Sequence, residues 1–222
     1  MNKALKVIPL FLLVVFASSA QHGEPADFIP IGFKEFEKKF GDLNGDGLRD
    51  CVMLIKKTDT AMIKLNQNGQ KVDRNRRGIL VLFKNDKGYH LVDKNYECFS
   101  SENEDGGVYY APELSITIED KKLKLYYGHG RYGNFTFIFK FQNQIFELIG
   151  YEQTDLRGPY ILQEKSINFL TRKKLIRKNT YEPKDEFDMK EVFIETWSDV
   201  NMERLIKLSE VEDFDELNMY VY

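Results

Sequence analysis

The sequence predicts a mainly β protein of the α+β class, with antiparallel meander sheets, a short N-terminal helix and an acidic C-terminal appendage. Phe and Tyr supply nearly all of the 14% aromatic content, and both residue types favour strands. Several apolar stretches alternate with period two and are separated by short polar turns. With 42% apolar residues, the 222-residue chain can bury a substantial core, which excludes wholesale disorder.

The first 20 residues have the order of a secretory signal peptide. Lys3 and Lys6 precede an apolar run over 7–16, and small residues up to Ala20 follow. The apolar run is too short to cross the roughly 30 Å hydrocarbon core of a bilayer as a helix. We therefore expect cleavage near Ala20 and export to the periplasm or the exterior, with no membrane span in the mature chain.

The elements of the mature chain follow from the apolar pattern. Phe33, Phe36 and Phe40 recur at i, i+3 and i+7, which predicts a short helix. A continuous apolar run from Cys51 to Ile55 predicts a buried strand. Further strands are predicted at 78–83, 89–92, 114–118, 123–127, 135–141 and 145–151, and as a pair within 160–178.

Charge divides the mature chain into a β-rich domain over 21–181 and an acidic appendage over 182–222. From residue 182 onward, acidic residues far outnumber basic ones and apolar periodicity is weak. The whole chain has 32 basic and 35 acidic residues, a net charge of −3. Because no basic excess is present, we expect no nucleic-acid partner.

The acidic loop at 42–50 is the motif with the most specific chemistry. Five candidate ligands alternate at positions 1, 3, 5, 7 and 9: Asp42, Asn44, Asp46, the Leu48 carbonyl and Asp50. Calcium prefers six to eight oxygen ligands, and Gly47 at position 6 permits the sharp turn that lets them converge. Position 12 is Met53 instead of the bidentate Glu of an EF-hand, so we expect a weak dissociation constant of about 10⁻⁴–10⁻³ M. The alternative is a metal-free turn held by its own Asx side chains.

The stretch GDLNGDGLRD resembles the calcium loops of FG-GAP (integrin-α-type propeller) repeats, dockerins and thrombospondin type 3 repeats. The order of GDLNGDGLRDCVMLIK, GILVLFKNDKGYHLV and IFELIGYEQTDL is similar to uncharacterised exported proteins of Bacteroidetes-type bacteria. The loop resemblance implies a calcium site. It does not imply a propeller, because a propeller needs at least four blades and the chain has one such loop.

Two further groups of residues are candidates for a functional role. Cys51 and Cys98 are the only cysteines, and in an oxidising compartment they could form one disulfide or remain two buried thiols. His129, Arg131 and Tyr132 share a glycine-rich loop between predicted strands. They could form a small ligand site or be solvated loop residues.

Three functions are compatible with the sequence. The favoured one is an exported, non-catalytic β-rich binding or interaction module, stabilised by one calcium ion, with a protein or a glycan as ligand. The second is an inhibitor-like partner of another exported protein, and the third is a periplasmic or secreted hydrolase with a site near His129 and Arg131. The sequence has no HExxH, GxSxG or Cys–His motif, so nothing in it singles out a catalytic residue.

Overall fold

A computed structural model describes residues 23–104, 112–182 and 190–222. The predicted signal peptide over 1–20 lies outside these residues. Within the described ranges, no helix has the length and apolar character needed to cross a membrane. The strands are β1 (Phe33–Gly41), β2 (Asp50–Lys57), β3 (Ile63–Leu65), β4 (Lys71–Asp73), β5 (Arg77–Asn85), β6 (Gly88–Phe99), β7 (Glu113–Glu119), β8 (Lys122–Gly128), β9 (Gly133–Gln142), β10 (Ile145–Arg157), β11 (Tyr160–Asn168), β12 (Lys173–Asn179) and β13 (Phe193–Asp199).

These strands form two main sheets, both antiparallel. The small sheet has the order β1-β2-β5-β6, and the large sheet runs from β7 at one edge to β13 at the other in sequence order. Strands β3 and β4 form a separate hairpin. Short 3-10 turns connect or flank the strands at Pro25–Phe28, Thr60–Met62, Gly130–Tyr132, Leu208–Glu210 and Met219–Val221. The prediction of a mainly β protein with antiparallel sheets is therefore confirmed.

The main core lies between the two sheets. Val52 and Val81 of the small sheet belong to the same buried cluster as Leu125 and Phe139 of the large sheet. Strand β2 is buried from Asp50 to Lys56 because its other face is covered by a second layer that includes Phe28. A strand with both faces covered has a continuous apolar run, which is the pattern that predicted it.

The predicted helix over Phe33, Phe36 and Phe40 is wrong, because this segment is strand β1. A β-bulge between Glu35 and Glu37 inserts Phe36 as an extra residue against β2. The bulge shifts the alternation by one position, so Phe33 and Phe40 face the same side of the sheet although they are seven residues apart. Their rings lie 5.6 Å from Tyr96 and 6.4 Å from Tyr89, respectively. A bulged strand can therefore imitate helical spacing.

The acidic C-terminal residues do not form a separate appendage in the described part, 190–222. Strand β13 pairs with β12, and the following segment carries side chains into the main core. These buried side chains are Val200, Met202, Leu208, Val211, Phe214 and Met219. The Asn95 amide group donates hydrogen bonds to the carbonyls of Leu208 at 3.0 Å and Val211 at 2.7 Å. The segment is irregular, so its apolar residues follow no single period and the sequence pattern did not predict this packing.

Cys51 and Cys98 are both free and buried. Cys51 packs with Leu82 on one face of the small sheet, whereas Cys98 belongs to the main core on the other side. Side chains on opposite faces of a sheet cannot form a disulfide without backbone movement. Burial raises the pKa of the Cys51 thiol to about 12 and that of Cys98 further still, so both thiols are protonated at neutral pH.

Candidate functional site

The acidic loop connects β1 to β2 and is held by its own side chains. Asp42 Oδ1 accepts a hydrogen bond from the Gly45 amide at 2.6 Å, and Oδ2 accepts one from Gly47 at 3.1 Å. Asp46 Oδ1 accepts from the Leu48 amide at 2.8 Å. Both glycines have φ of +84°, a left-handed conformation that glycine adopts at low cost. The alternation of acidic residues and glycines therefore builds a compact, oxygen-rich turn.

The Asn44 side chain forms two hydrogen bonds with Asp46 inside the loop. Its side-chain oxygen accepts from the Asp46 amide at 2.9 Å, and its side-chain nitrogen donates to Asp46 Oδ2 at 2.9 Å. The Lys121 ammonium lies over the loop, since a Cβ placed on Gly45 would come within 2.8 Å of Lys121 Nζ. The Lys121 side chain therefore packs against the backbone of the loop at Gly45.

Asp50 differs from the other acidic residues of the loop because its carboxylate is fully buried. Oδ2 accepts a hydrogen bond from the Leu43 amide at 2.8 Å, and Oδ1 accepts one from the Lys84 amide at 3.0 Å. Burial raises the pKa of Asp50, and these two amide hydrogen bonds oppose that rise. Asp50 therefore fastens the end of the acidic loop to strand β5.

The donor set of the acidic loop has the chemistry that calcium prefers, because every candidate ligand is an oxygen. A carboxylate offers about four acceptor positions, and the hydrogen bonds described above use only some of them. In the described residues, no three His, Cys, Asp or Glu side chains converge as a metal-binding group. A cation at this loop would need the Asn44 side chain and the Leu48 carbonyl together with Asp42 and Asp46.

A second candidate site, the aromatic cleft, has a volume of about 470 Å³ and is lined by residues within 129–137, 151–155 and 214–220. It lies where the turn after β8 leads into β9. Strand β9 begins at Gly133, which pairs with Asp155 at the far end of β10. Gly133 has φ of +121°, and a Cβ there would lie 1.9 Å from the Thr154 carbonyl oxygen. Glycine at this position lets the two strands meet and bring the walls of the cleft together.

The floor of the aromatic cleft is a packed group of rings. Phe137, Tyr151 and Phe214 are buried, and the Phe137 ring lies 5.3 Å from Tyr151 and 5.1 Å from Phe214. Tyr132 and Tyr220 also line the cleft, with exposed fractions of 43% and 74%. The floor is therefore rigid and apolar, while the two tyrosines at the rim are exposed to solvent.

A hydrogen-bond network runs from the floor of the aromatic cleft to its rim. The Tyr151 hydroxyl donates to Gln153 Oε1 at 3.0 Å. Gln153 Nε2 in turn donates to Asp155 Oδ1 at 2.7 Å and to the Tyr220 hydroxyl at 3.2 Å. Gln153 is buried, so this network fixes a carboxylate and a phenol against the aromatic floor.

The residues of the predicted ligand loop have different positions. His129 and Tyr132 line the aromatic cleft, whereas Arg131 does not, and its guanidinium lies 5.5 Å from the centre of the Tyr132 ring. The His129 ring lies 5.1 Å from Phe135, and loss of hydration lowers its pKa, so the imidazole is neutral at pH 7.

Several residues of the aromatic cleft come from distant segments and were not predictable from the sequence. Gln153 and Asp155 stand near the end of β10, and Asp215 and Tyr220 lie in the C-terminal segment. Nothing in the sequence connects these residues to His129, because the connection is made by strand pairing and by packing of the irregular C-terminal segment.

A larger hollow of about 790 Å³ is lined by residues within 201–222 alone. Its lining has one basic side chain, Arg204, which forms an ion pair with Glu210, and five acidic side chains: Glu203, Glu210, Glu212, Asp213 and Glu216. The aromatic cleft, by contrast, joins three segments and has a buried aromatic floor.

The chain matches no known protein family, no curated protein and no solved structure.

Proposed function

We propose that the protein is an exported, non-catalytic binding module that holds its ligand in the aromatic cleft and is stabilised by calcium in the acidic loop. The observation that carries the proposal is the construction of the cleft: a rigid aromatic floor, a rim of exposed tyrosines and a few fixed polar groups. Ligand sites in proteins are typically concave and apolar with a small number of oriented polar groups.

The arrangement of the polar groups in the aromatic cleft favours ligand binding over catalysis. His129 is neutral and packs against the Phe135 ring, and Asp155 accepts a hydrogen bond from the amide group of Gln153. Groups held by neighbouring amides and rings are better suited to recognition of a ligand.

Calcium has a structural role in this proposal. The acidic loop joins β1 to β2, and Asp50 at its end accepts a hydrogen bond from the Lys84 amide of β5. A cation held by Asp42, Asn44, Asp46 and the Leu48 carbonyl would offset the repulsion between the carboxylates. It would thereby stabilise the folded state by RT ln(1 + [Ca²⁺]/Kd).

Chemical-shift mapping of the ¹⁵N-labelled protein tests the binding function. The probes are maltotriose, 1,5-diaminopentane and glutarate, which represent neutral, cationic and anionic ligands. At least one probe should shift the amides of Tyr132, Gly133 and Asp155 while leaving amides of β3 and β4 unchanged. If all three probes leave the amides of the cleft unchanged at millimolar concentration, the proposed function is wrong.

A further inference from the structure

We propose that the aromatic cleft recognises an alkylammonium group, the cation carried by free polyamines and by lysine side chains. This inference rests on the proposed binding function and adds the chemical class of the ligand.

The first observation is the charge of the cleft. Asp155, Asp215 and Glu216 line it, and among the described residues no lysine or arginine does so. With His129 neutral at pH 7, the lining has a net negative charge. Carboxylates in a partly enclosed, low-dielectric cleft attract a cation more strongly than the same groups do on an open surface.

The second observation is the aromatic character of the same lining. Tyr132 and Tyr220 expose their rings at the rim, and Phe135 lies partly buried between rim and floor. Ring faces attract cations through their quadrupole, and the alkyl part of an amine gains by contact with apolar rings. Neutral sugars would also stack on these rings, but they would leave the carboxylates without a cationic partner.

The third observation is that neutral groups position both carboxylates by hydrogen bonds. Asp155 accepts hydrogen bonds from Gln153 at 2.7 Å and Gln163 at 3.5 Å, both through neutral amide groups. Asp215 accepts a hydrogen bond from the Ser100 hydroxyl, which is also neutral. The cations that interact electrostatically with these carboxylates, Lys165 with Asp155 and Arg77 with Asp215, lie outside the lining of the cleft.

One lysine stands near the rim without entering the cleft. Lys165 Nζ lies 4.0 Å from the centre of the Tyr220 ring, and Lys165 is not among the lining residues. This contact shows that Tyr220 already accepts an ammonium group from within the protein. Lys165 also interacts electrostatically with Asp155, so a bound amine would share Asp155 with Lys165.

Calorimetric titration of the full chain with 1,5-diaminopentane tests the inference, and N-acetyl-lysine amide serves as the second amine probe. Both probes should bind, and the tighter one identifies whether a free diamine or a lysine side chain is the closer match. Asp155→Asn and Asp215→Asn each remove one charge and keep a hydrogen-bonding oxygen. Each should weaken binding roughly tenfold, as expected for loss of a partly buried charge pair.

Asp199→Asn is the matched control. Asp199 is an exposed aspartate of β13 that forms an ion pair with Lys173 of β12, and it lies outside the cleft. It should leave amine affinity unchanged, and circular dichroism spectra should show that all three variants fold. Raising the salt concentration from about 0.05 M to about 0.5 M should weaken amine binding to the wild type, because salt screens charge attraction.

Several results would overturn the inference. Absence of amine binding, or equal affinity of the wild type and both cleft variants, would show that the carboxylates do not recognise a cation. If maltotriose or glutarate binds in the cleft and neither amine does, the ligand class is wrong while the binding function stands. If no probe affects the cleft, the proposed function itself fails.

Discussion

Replacement of the buried Asp50 by asparagine is the sharpest perturbation of the acidic loop. Asp50 is fully buried and accepts two backbone hydrogen bonds, from Leu43 at 2.8 Å and from Lys84 at 3.0 Å. Asp50→Asn keeps one acceptor oxygen and turns the other position into an NH₂ group that faces a backbone N–H. One buried amide therefore loses its acceptor.

The expected loss of stability follows from that change. A hydrogen bond to a charged group contributes about 1.5–3 kcal/mol, and a buried donor left without a partner costs about 1–3 kcal/mol. Removal of a buried charge offsets part of this cost. We expect a net loss of about 2 kcal/mol, which corresponds to a decrease in melting temperature of about 4–8 °C for a chain of this size.

Urea unfolding at pH 7 in excess chelator measures this effect without interference from metal. Asp46→Asn is the matched control, because Asp46 is exposed in the same loop and asparagine can still accept the Leu48 amide. The control should change stability by less than about 0.5 kcal/mol. If Asp50→Asn is as stable as the control, Asp50 does not fasten the loop to β5.

The pH dependence of the same variant gives a second, independent check. Burial raises the pKa of Asp50 in the folded state above its unfolded value. As the pH falls through that window, the folded protein binds the proton first, so acidification stabilises the wild type through this group. Asp50→Asn lacks this titration, and its deficit relative to the wild type should therefore widen on acidification. A deficit that narrows would contradict the burial of Asp50.

The remaining predictions concern metal, thiols, backbone and export. Tenfold excess of calcium over its dissociation constant should stabilise the wild type by about 1.4 kcal/mol, and Asp46→Ala should remove this increment; equal melting in calcium and chelator would exclude the metal. Cys51 and Cys98 should resist alkylation when folded and both react in denaturant without reductant, whereas a disulfide would leave them unlabelled. Gly133→Ala should lower stability by more than about 2 kcal/mol, because its Cβ would overlap the neighbouring strand; a stable variant would contradict this packing. Intact mass of exported protein should show cleavage near Ala20, and a mass that retains residues 1–20 would contradict the signal peptide.

Strands β7 to β12 of the large sheet were predictable because their pattern is regular, whereas β13 lies in the segment that was predicted to be an acidic appendage. Leu123 and Leu125 alternate along β8, and Phe137 and Phe139 alternate along β9, as expected for strands with one face in a core. Strand β1 was not predictable from the same pattern, because its bulge at Phe36 changes the spacing of its aromatic residues. Period alone cannot reveal a bulge, since the extra residue is defined only by its pairing partner.

The aromatic cleft was only partly predictable. His129 and Tyr132 were predictable as candidate site residues because they share a glycine-rich loop, and both line the cleft. Asp155 and Tyr220 have ordinary sequence surroundings, and they reach the cleft through the pairing of β9 with β10 and through packing of the C-terminal segment. Such convergence depends on contacts between distant segments, which a local pattern does not encode.

Intermolecular nuclear Overhauser effects would locate a bound ligand most directly. For whichever of maltotriose, 1,5-diaminopentane or glutarate binds the protein, ligand protons should show contacts with the ring protons of Phe135 from β9 and of Tyr220 from the C-terminal segment. Contacts with both rings would place the ligand between the large sheet and that segment, in the aromatic cleft. Contacts confined to rings outside it, such as the exposed Trp197 of β13, would show that the cleft is not the binding site.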